Sequence, residues 1–392
     1  ESHGCGSLVF GNDGTLMASI GDNASYFGID MGNAWESYFL TALTDGILRP
    51  SENVGAFRAQ ILGCLNGKIL RLDPNTGNGV SSNPWYSASA PGSTTSKVWA
   101  LGVRNPYRMT HKQGTGSTDP ADGQPGVFYF GDVGQDSWEE QNVCIEKGLN
   151  FGWPLFEGLT QHDGFMPALT ENRDAPNPVY NGINCTRQYF YFQDLLKQDT
   201  RQLLGNFPTP CDSTLQIPSN VPTYLHKRPS IDYLHGILSR VGAYNGNDAV
   251  YFYLDDPNSP VPGPRFGGNA AIGGPFMAAS GFPVEYQNSA FHGDYGQGWI
   301  RRFKYDETDS IESVHDFATG LAPMCWLGEG PDGCLWYIKY DSGDLERICY
   351  TANLNLPPIA VATQDLEYGP GPLMINFTGS NSTDPEGLPL SY

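Results

Sequence analysis

Basic residues are scarce in this chain: 22 lysines and arginines stand against 42 aspartates and glutamates, a formal net charge of −20. That balance excludes nucleic acid and an anionic membrane as partners, and it suits a protein able to take divalent cations. Long apolar runs are also missing. No segment approaches the ~18 residues of a membrane span, so no membrane span is expected. No Cys-x-x-Cys pair occurs, which removes the usual zinc and thioredoxin readings. Glu1-Ser2-His3-Gly4 is polar from the start and is no signal peptide.

Turn formers are plentiful. Glycine (48) and proline (30) make up about a fifth of the 392 residues, while charged residues are only 16%. Such a composition predicts many short strands joined by turns rather than long helices. The length allows two or three domains, or one large β domain with an appendage. Eight cysteines, an even number, occur with four glycosylation sequons at Asn23, Asn184, Asn376 and Asn381. Together they predict a secreted, extracellular glycoprotein with oxidised cysteines. A secreted chain without a leader is expected to be a fragment of a longer one.

Strand patterns recur around Asp-Gly turns. Phe10 to Asp22, turning at Asp13-Gly14, resembles Gly330 to Asp344, turning at Asp332-Gly333, and Val127–Asp132 and Ala290–Asp294 end alike in Gly-Asp. A turn of this kind every few tens of residues is what a propeller's repeated sheets produce. On this pattern alone, a pair of β-sandwiches stays open. From about Leu155 to Tyr244 the pattern breaks down into scattered Pro and Asn, with one helix-like run near Phe192 to Leu204. We read this stretch as a long insertion closed by a Cys185–Cys211 disulfide worth about 3 kcal/mol. A second pair, Cys334–Cys349, is expected across a hairpin turning near Ser342-Gly343. Near Ala352 the composition shifts to a linker ending in Pro357-Pro358, followed by the strands Ile359–Thr363 and Pro372–Phe377.

The chemistry-bearing blocks are Ala100-Leu-Gly-Val-Arg104-Asn105-Pro106, Gly131-Asp132-Val-Gly134-Gln135-Asp-Ser-Trp138-Glu139-Glu140, and Gly148-Leu-Asn-Phe151-Gly152-Trp153-Pro154. The middle block ends a strand in a loop rich in carboxylates and glycine carbonyls, suitable ground for a hard cation. In order and spacing the blocks resemble the glucose/sorbosone dehydrogenase family. That family comprises secreted β-propellers and includes sugar dehydrogenases using pyrroloquinoline quinone (PQQ) and calcium, as well as non-enzymatic hedgehog-interacting proteins. The resemblance covers roughly residues 1–350. It implies an all-β fold: a six-bladed propeller over residues 1–352 whose N-terminal part precedes Glu1. Residues 353–392 resemble the opening of a PKD domain, the beginning of an immunoglobulin-like β-sandwich.

The same resemblance implies site roles. His3 matches the general base that takes a sugar hydroxyl proton, a task suited to imidazole. Arg104 and Asn105 match the quinone pocket, where a guanidinium pairs with cofactor oxygens. The carbonyls of Gly134 and Gln135 match calcium ligands at the cofactor, and Glu140 with the Phe151 carbonyl matches a second, structural calcium. Trp85, Trp138 and Trp153 are candidates for a sugar-binding surface. His226 and His235 with Asp232 are better read as a structural strand than as a metal site. The chain also departs from the dehydrogenases. The segments matching Asp294–Gly298 and Ala322–Cys325 lack the lysine and arginines that help hold an acidic cofactor, although Arg301, Arg302 and Lys304 lie nearby. The leading expectation is therefore PQQ- and calcium-dependent oxidation of an aldose. Its rival is an inactive extracellular propeller that binds glycan or other protein copies in a structural, adhesive or filament role.

Overall fold

The computed structural model describes residues 3–32, 38–201, 206–277, 281–321, 323–351, 358–384 and 389–390. It divides into two compact units, Glu1–Ile348 and Cys349–Tyr392. In the second unit, Thr363–Gln364 pairs with Phe377–Thr378, and Ile359 bridges Thr383.

The first unit is built on β-sheet. Its opening sheet is an antiparallel meander of β1 (Cys5–Phe10), β2 (Leu16–Ile20), β3 (Lys68–Leu72) and β4 (Val98–Leu101). The β1–β2 hairpin turns at Asp13-Gly14, where Gly14 takes φ +73°, a left-handed angle that glycine adopts freely. Alternation then sorts the side chains. Met17, Ile69 and Ala100 point to one face, and Ala18, Leu70 and Val98 to the other. The second sheet runs Asp248–Tyr253, Ser239–Asn245, Ile231–Leu234, β7 (Trp138–Cys144), β6 (Phe128–Asp132), β5 (Pro106–His111). A third sheet joins Ala271–Gly273, Ser289–Asp294, Ile300–Tyr305 and Ile311–Ala318, with Phe276–Met277 beside the second of these. A fourth joins Met324–Glu329, Leu335–Lys339 and Leu345–Ile348.

These four sheets pack face to face in chain order. Met17, Ile69 and Trp99 of the first meet Met109, Phe128 and Phe130 of the second. Tyr129, Val143 and Tyr233 of the second meet Phe276, Phe303 and Val314 of the third and its loops. Ile272, Phe291 and Ile300 of the third meet Met324, Leu327 and Tyr337 of the fourth. Four blade-like sheets stacked through apolar faces make the unit propeller-like.

Antiparallel register sends one set of strand ends to a common side. Cys5 pairs with Ile20, Ile20 with Lys68, and Lys68 with Leu101. In the next sheet Pro106 pairs with Asp132, Asp132 with Glu140, and Leu234 with Trp138. The two sheets' loops touch there: the Asp22 amide donates to the Arg104 carbonyl at 2.8 Å and the Val133 amide to the Asn105 carbonyl at 3.2 Å. His3, Asp22, Arg104, Asn105, Gly134 and His235 therefore share one end of the stack.

Some expectations need correction. Long helices are absent as expected, none among the described residues exceeding seven residues, but the helix-like run expected near 192–204 is a four-residue turn, Phe192–Leu195, followed by the strand Leu196–Gln198. Residues 202–205 of that run lie outside the described residues. Within the stretch expected to be irregular, Ile231–Leu234 and Ser239–Asn245 belong to the second sheet, because their apolar alternation is completed by β7. Cys185 and Cys211 are disulfide-bonded, with Cα atoms 5.5 Å apart. Cys334 and Cys349 are disulfide-bonded too. Cys5, Cys64, Cys144 and Cys325 are free, so the expectation of full oxidation fails at half the cysteines.

Candidate functional site

His3 stands where β1 begins, with Nδ1 2.7 Å from Asp22 Oδ1. Its side chain is 8% exposed and that of Asp22 1%. Gly21 allows this approach, since a Cβ there would lie 2.3 Å from the His3 carbonyl oxygen. Asp22 Oδ1 also accepts the Ala24 amide at 3.0 Å, and Oδ2 accepts the Trp153 indole N–H at 2.7 Å. Burial alone pushes the Asp22 carboxyl up, but its bond with His3 and the nearby Arg104 leave it below the usual range. A carboxylate only accepts, so Nδ1 carries a hydrogen, and in the neutral ring the lone pair is left on Nε2. That is the form a general base needs.

Arg104 is 5% exposed. Its Nη1 donates to the carbonyls of Val133 at 2.8 Å and Gly134 at 2.7 Å, and its guanidinium carbon lies 5.4 Å from the Trp153 ring centre. Its amide and that of Asn105 both donate to Asp132, at 3.0 and 2.6 Å. Nε and Nη2 of Arg104 have no hydrogen-bond partner among the described residues and remain for a ligand.

Asp132, Glu140 and Asp232 line up across three adjacent strands. Arg240 is taken by Asp232, its Nε 3.0 Å from Oδ1 and its Nη2 on Oδ2. Glu140 receives only the Gly158 amide and the Asn142 side-chain amide, each at 2.7 Å. Burial pushes Asp132 up to about 7 despite the two amides. Burial and the neighbouring Asp132 push Glu140 well above its usual range. Two buried carboxylates facing each other with too little positive charge are what a divalent cation relieves.

The loop after β6 is fixed by acids that the sequence analysis did not single out. Glu157 Oε1 accepts the amides of Gln135, Asp136 and Ser137 at 2.6, 3.2 and 3.3 Å. Glu139 accepts the amides of Gly134 at 3.3 Å and Ala271 at 2.7 Å, and meets His235 Nε2 at 2.7 Å. Gly134 is required here, because a Cβ would lie 2.1 Å from the Trp138 carbonyl oxygen. Asp22 and Glu157 each sit in a legible motif, Gly21-Asp22 and Glu157-Gly158. Their partners lie up to 131 residues away, and no spacing rule reveals them.

The other expected residues fall as follows. Phe151 lies in the core between the first two sheets, 5.1 Å from the Phe130 ring, its amide on the Leu101 carbonyl. His226 stacks on Phe156 at 4.3 Å and bonds Gln198, so it does not join His235 and Asp232. Trp153 is buried, Trp85 packs on Tyr224, and Trp138 carries Arg240 over its ring. Asp294, buried in the segment noted above for its lack of a basic residue, accepts the amides of Asn269, Ala270 and Gln297. Arg301 pairs with Asp316, Arg302 donates to the Glu285 carbonyl, and Lys304 pairs with Glu312. None of the three replaces the missing cations. Ala322 lies outside the described residues. Asn23, Asn184, Asn376 and Asn381 are all exposed. No helix of the described residues is long and apolar enough to cross a membrane.

Comparison with known proteins adds the following. HIPL1 protein from Arabidopsis thaliana is 30% identical over 192 residues, 46% of this chain and 22% of that protein. Aldose sugar dehydrogenase YliI from Escherichia coli K12 is 27% identical over 130 residues, 33% of this chain and 29% of that protein. The chain thus spans under a third of these relatives. Among solved structures, the PQQ-bound aldose sugar dehydrogenase from Streptomyces coelicolor aligns with 89% of this chain and 61% of its own, at 16% identity and TM-score 0.43. The apo aldose sugar dehydrogenase from Escherichia coli aligns with 87% and 62%, at 18% identity and TM-score 0.42. Residues 1–191, which hold every expected catalytic, cofactor-binding and metal residue, match the Glucose / Sorbosone dehydrogenase family model.

Proposed function

We propose that this chain is part of a secreted, calcium- and PQQ-dependent sugar dehydrogenase-like protein that oxidises an aldose. The observation that carries the reading is the His3–Asp22 pair, clamped by Trp153 and set beside Arg104 at one end of the stack. In the whole protein we expect six blades, with a PKD-like sandwich from about residue 353.

The residues present fit the two groups. Calcium suits the buried Asp132–Glu140 pair and the carbonyl-lined loop at Gly134 and Gln135, where oxygen donors are concentrated. An anionic quinone suits the unused N–H groups of Arg104. When bound, the quinone would supply the hydride acceptor. His3 Nε2 takes the sugar hydroxyl proton, Asp22 fixes the ring tautomer and stabilises the imidazolium, and Trp153 holds Asp22. The test is titration of the protein with PQQ and calcium, followed by dye reduction with a panel of aldoses. Absence of PQQ binding in the wild type refutes the enzyme.

One observation favours the rival, an inactive extracellular propeller with a structural or adhesive role. Arg104 already spends Nη1 on two loop carbonyls, and the buried Asp294 opens a segment without the basic residue that the dehydrogenases carry. Under that reading glycan binding persists without turnover.

A further inference from the structure

A second imidazole at the same end of the stack is also held by a carboxylate. His235 follows the strand Ile231–Leu234, and its amide donates to the Ser137 carbonyl at 2.9 Å. Its ring Nε2 lies 2.7 Å from Glu139 Oε1; Glu139 is fully buried, whereas the His235 side chain is 30% exposed. The other Glu139 oxygen holds the amides of Ala271 and Gly134, so the carboxylate cannot turn without losing them. Nε2 therefore carries a hydrogen, and because its bond to Glu139 raises the ring's pKa above the ordinary imidazole value, Nδ1 presents a lone pair in the neutral ring and a second N–H in the imidazolium. Nδ1 has no partner among the described residues. Any N–H donor would satisfy Glu139, but only an imidazole leaves a second ring nitrogen unused. A short chain of bonds ties this ring to the loop beneath Arg104: Arg104 to the Gly134 carbonyl, the Gly134 amide to Glu139, Glu139 to His235.

We propose that His235 is a ligand-contacting residue of this site, its Nδ1 hydrogen-bonding to a hydroxyl of a sugar bound over the 133–137 loop. The proposal rests on the sugar ligand proposed above and not on the quinone.

The test is chemical footprinting of the whole protein. Diethyl pyrocarbonate modification of His235 is read by peptide mass, without and with saturating D-glucose, D-galactose or D-xylose. His235 should react in the free protein and be protected severalfold by at least one sugar, while the exposed His315 reacts equally throughout. His235→Gln, which keeps an N–H for Glu139, should bind that sugar about tenfold more weakly by calorimetry with an unchanged melt. A merely structural His235 would show neither effect. If the wild type binds a sugar while His235 stays unprotected, or if H235Q binds it as wild type does, the His235 assignment is overturned and the sugar ligand stands. If no sugar binds the wild type, the ligand reading falls and this assignment with it. Should H235Q fail to fold, the wild-type footprint decides.

Discussion

Asp22→Asn separates the chemistry of the site from its architecture. The native carboxylate takes three N–H bonds: His3 and Ala24 on Oδ1, Trp153 on Oδ2. An amide keeps one oxygen and presents two hydrogens. If its NH2 faces Trp153, two donors confront each other where the native contact is 2.7 Å. If it faces His3, Nδ1 must become the acceptor and the ring hydrogen moves to Nε2, the atom that should take the proton. Either arrangement costs about 1–3 kcal/mol for an unmet buried donor, a fall in melting temperature of at most about 4 °C in a chain this long. Catalysis should suffer more, because a base in the wrong tautomer is inert: kcat should drop about 10²–10⁴-fold. The folded Asp22 carboxyl is held below its ordinary 3.8. Its stabilisation is therefore complete above that value and lost as pH falls through the folded one, so the stability gap between wild type and variant should close in acid. The assay is dye reduction by PQQ- and calcium-loaded protein, beside a thermal melt and a PQQ titration. A D22N protein that binds PQQ normally and keeps kcat within about threefold refutes the tautomer argument.

Calcium should act through Asp132 and Glu140. Because their folded values are raised, the folded state binds more protons than the unfolded chain, and the apo protein should lose stability as pH rises from 3.8 towards about 7. Saturating calcium should flatten that slope in melts across pH, and a chelator should restore it; identical slopes with and without calcium remove the site. His3→Ala should abolish turnover with PQQ binding intact, whereas Arg104→Ala should weaken PQQ in the same titration; equal PQQ affinity in both variants contradicts the assigned roles. Replacing Cys185 and Cys211 with serine should cost about 3 kcal/mol in denaturant unfolding. A thiol reagent on the native protein should label exposed Cys5 and spare buried Cys64 and Cys144 until the chain unfolds; early labelling of Cys144 would show that its core packing is wrong.

The sheets were legible because their signals are local. An Asp-Gly turn at 13–14 and alternation around Met17 and Ala18 are properties of neighbouring residues. Ile231–Leu234 was hidden inside an apparently irregular stretch, since its partner β7 lies some ninety residues earlier in the chain. In the site, the family resemblance pointed to His3, Arg104 and Glu140, while the partners around them did not show. Gly-Asp at 21–22 reads as a turn until His3 and Trp153 close on it. Glu139 and Glu157 look like ordinary acids among 42 until backbone amides are counted around them. The four bonded cysteines were legible, but the other four were wrongly expected to be oxidised, because nothing local shows that Cys64 and Cys144 are buried as small apolar side chains.

Trp153 gives the site a history as well as a geometry. His3 and Asp22 are 19 residues apart and meet within the first hairpin, so that contact is available as soon as β1 and β2 exist. The indole that completes Asp22 arrives 131 residues later, and the same ring lies beside Arg104. During synthesis the imidazole–carboxylate pair can therefore form long before Trp153 completes it. Its carboxylate stays one bond short until the second sheet has been made and Trp153 has docked. A nascent chain halted before that tryptophan would carry the imidazole and the acid without their commitment to one tautomer, which makes residue 153 the point at which the site matures.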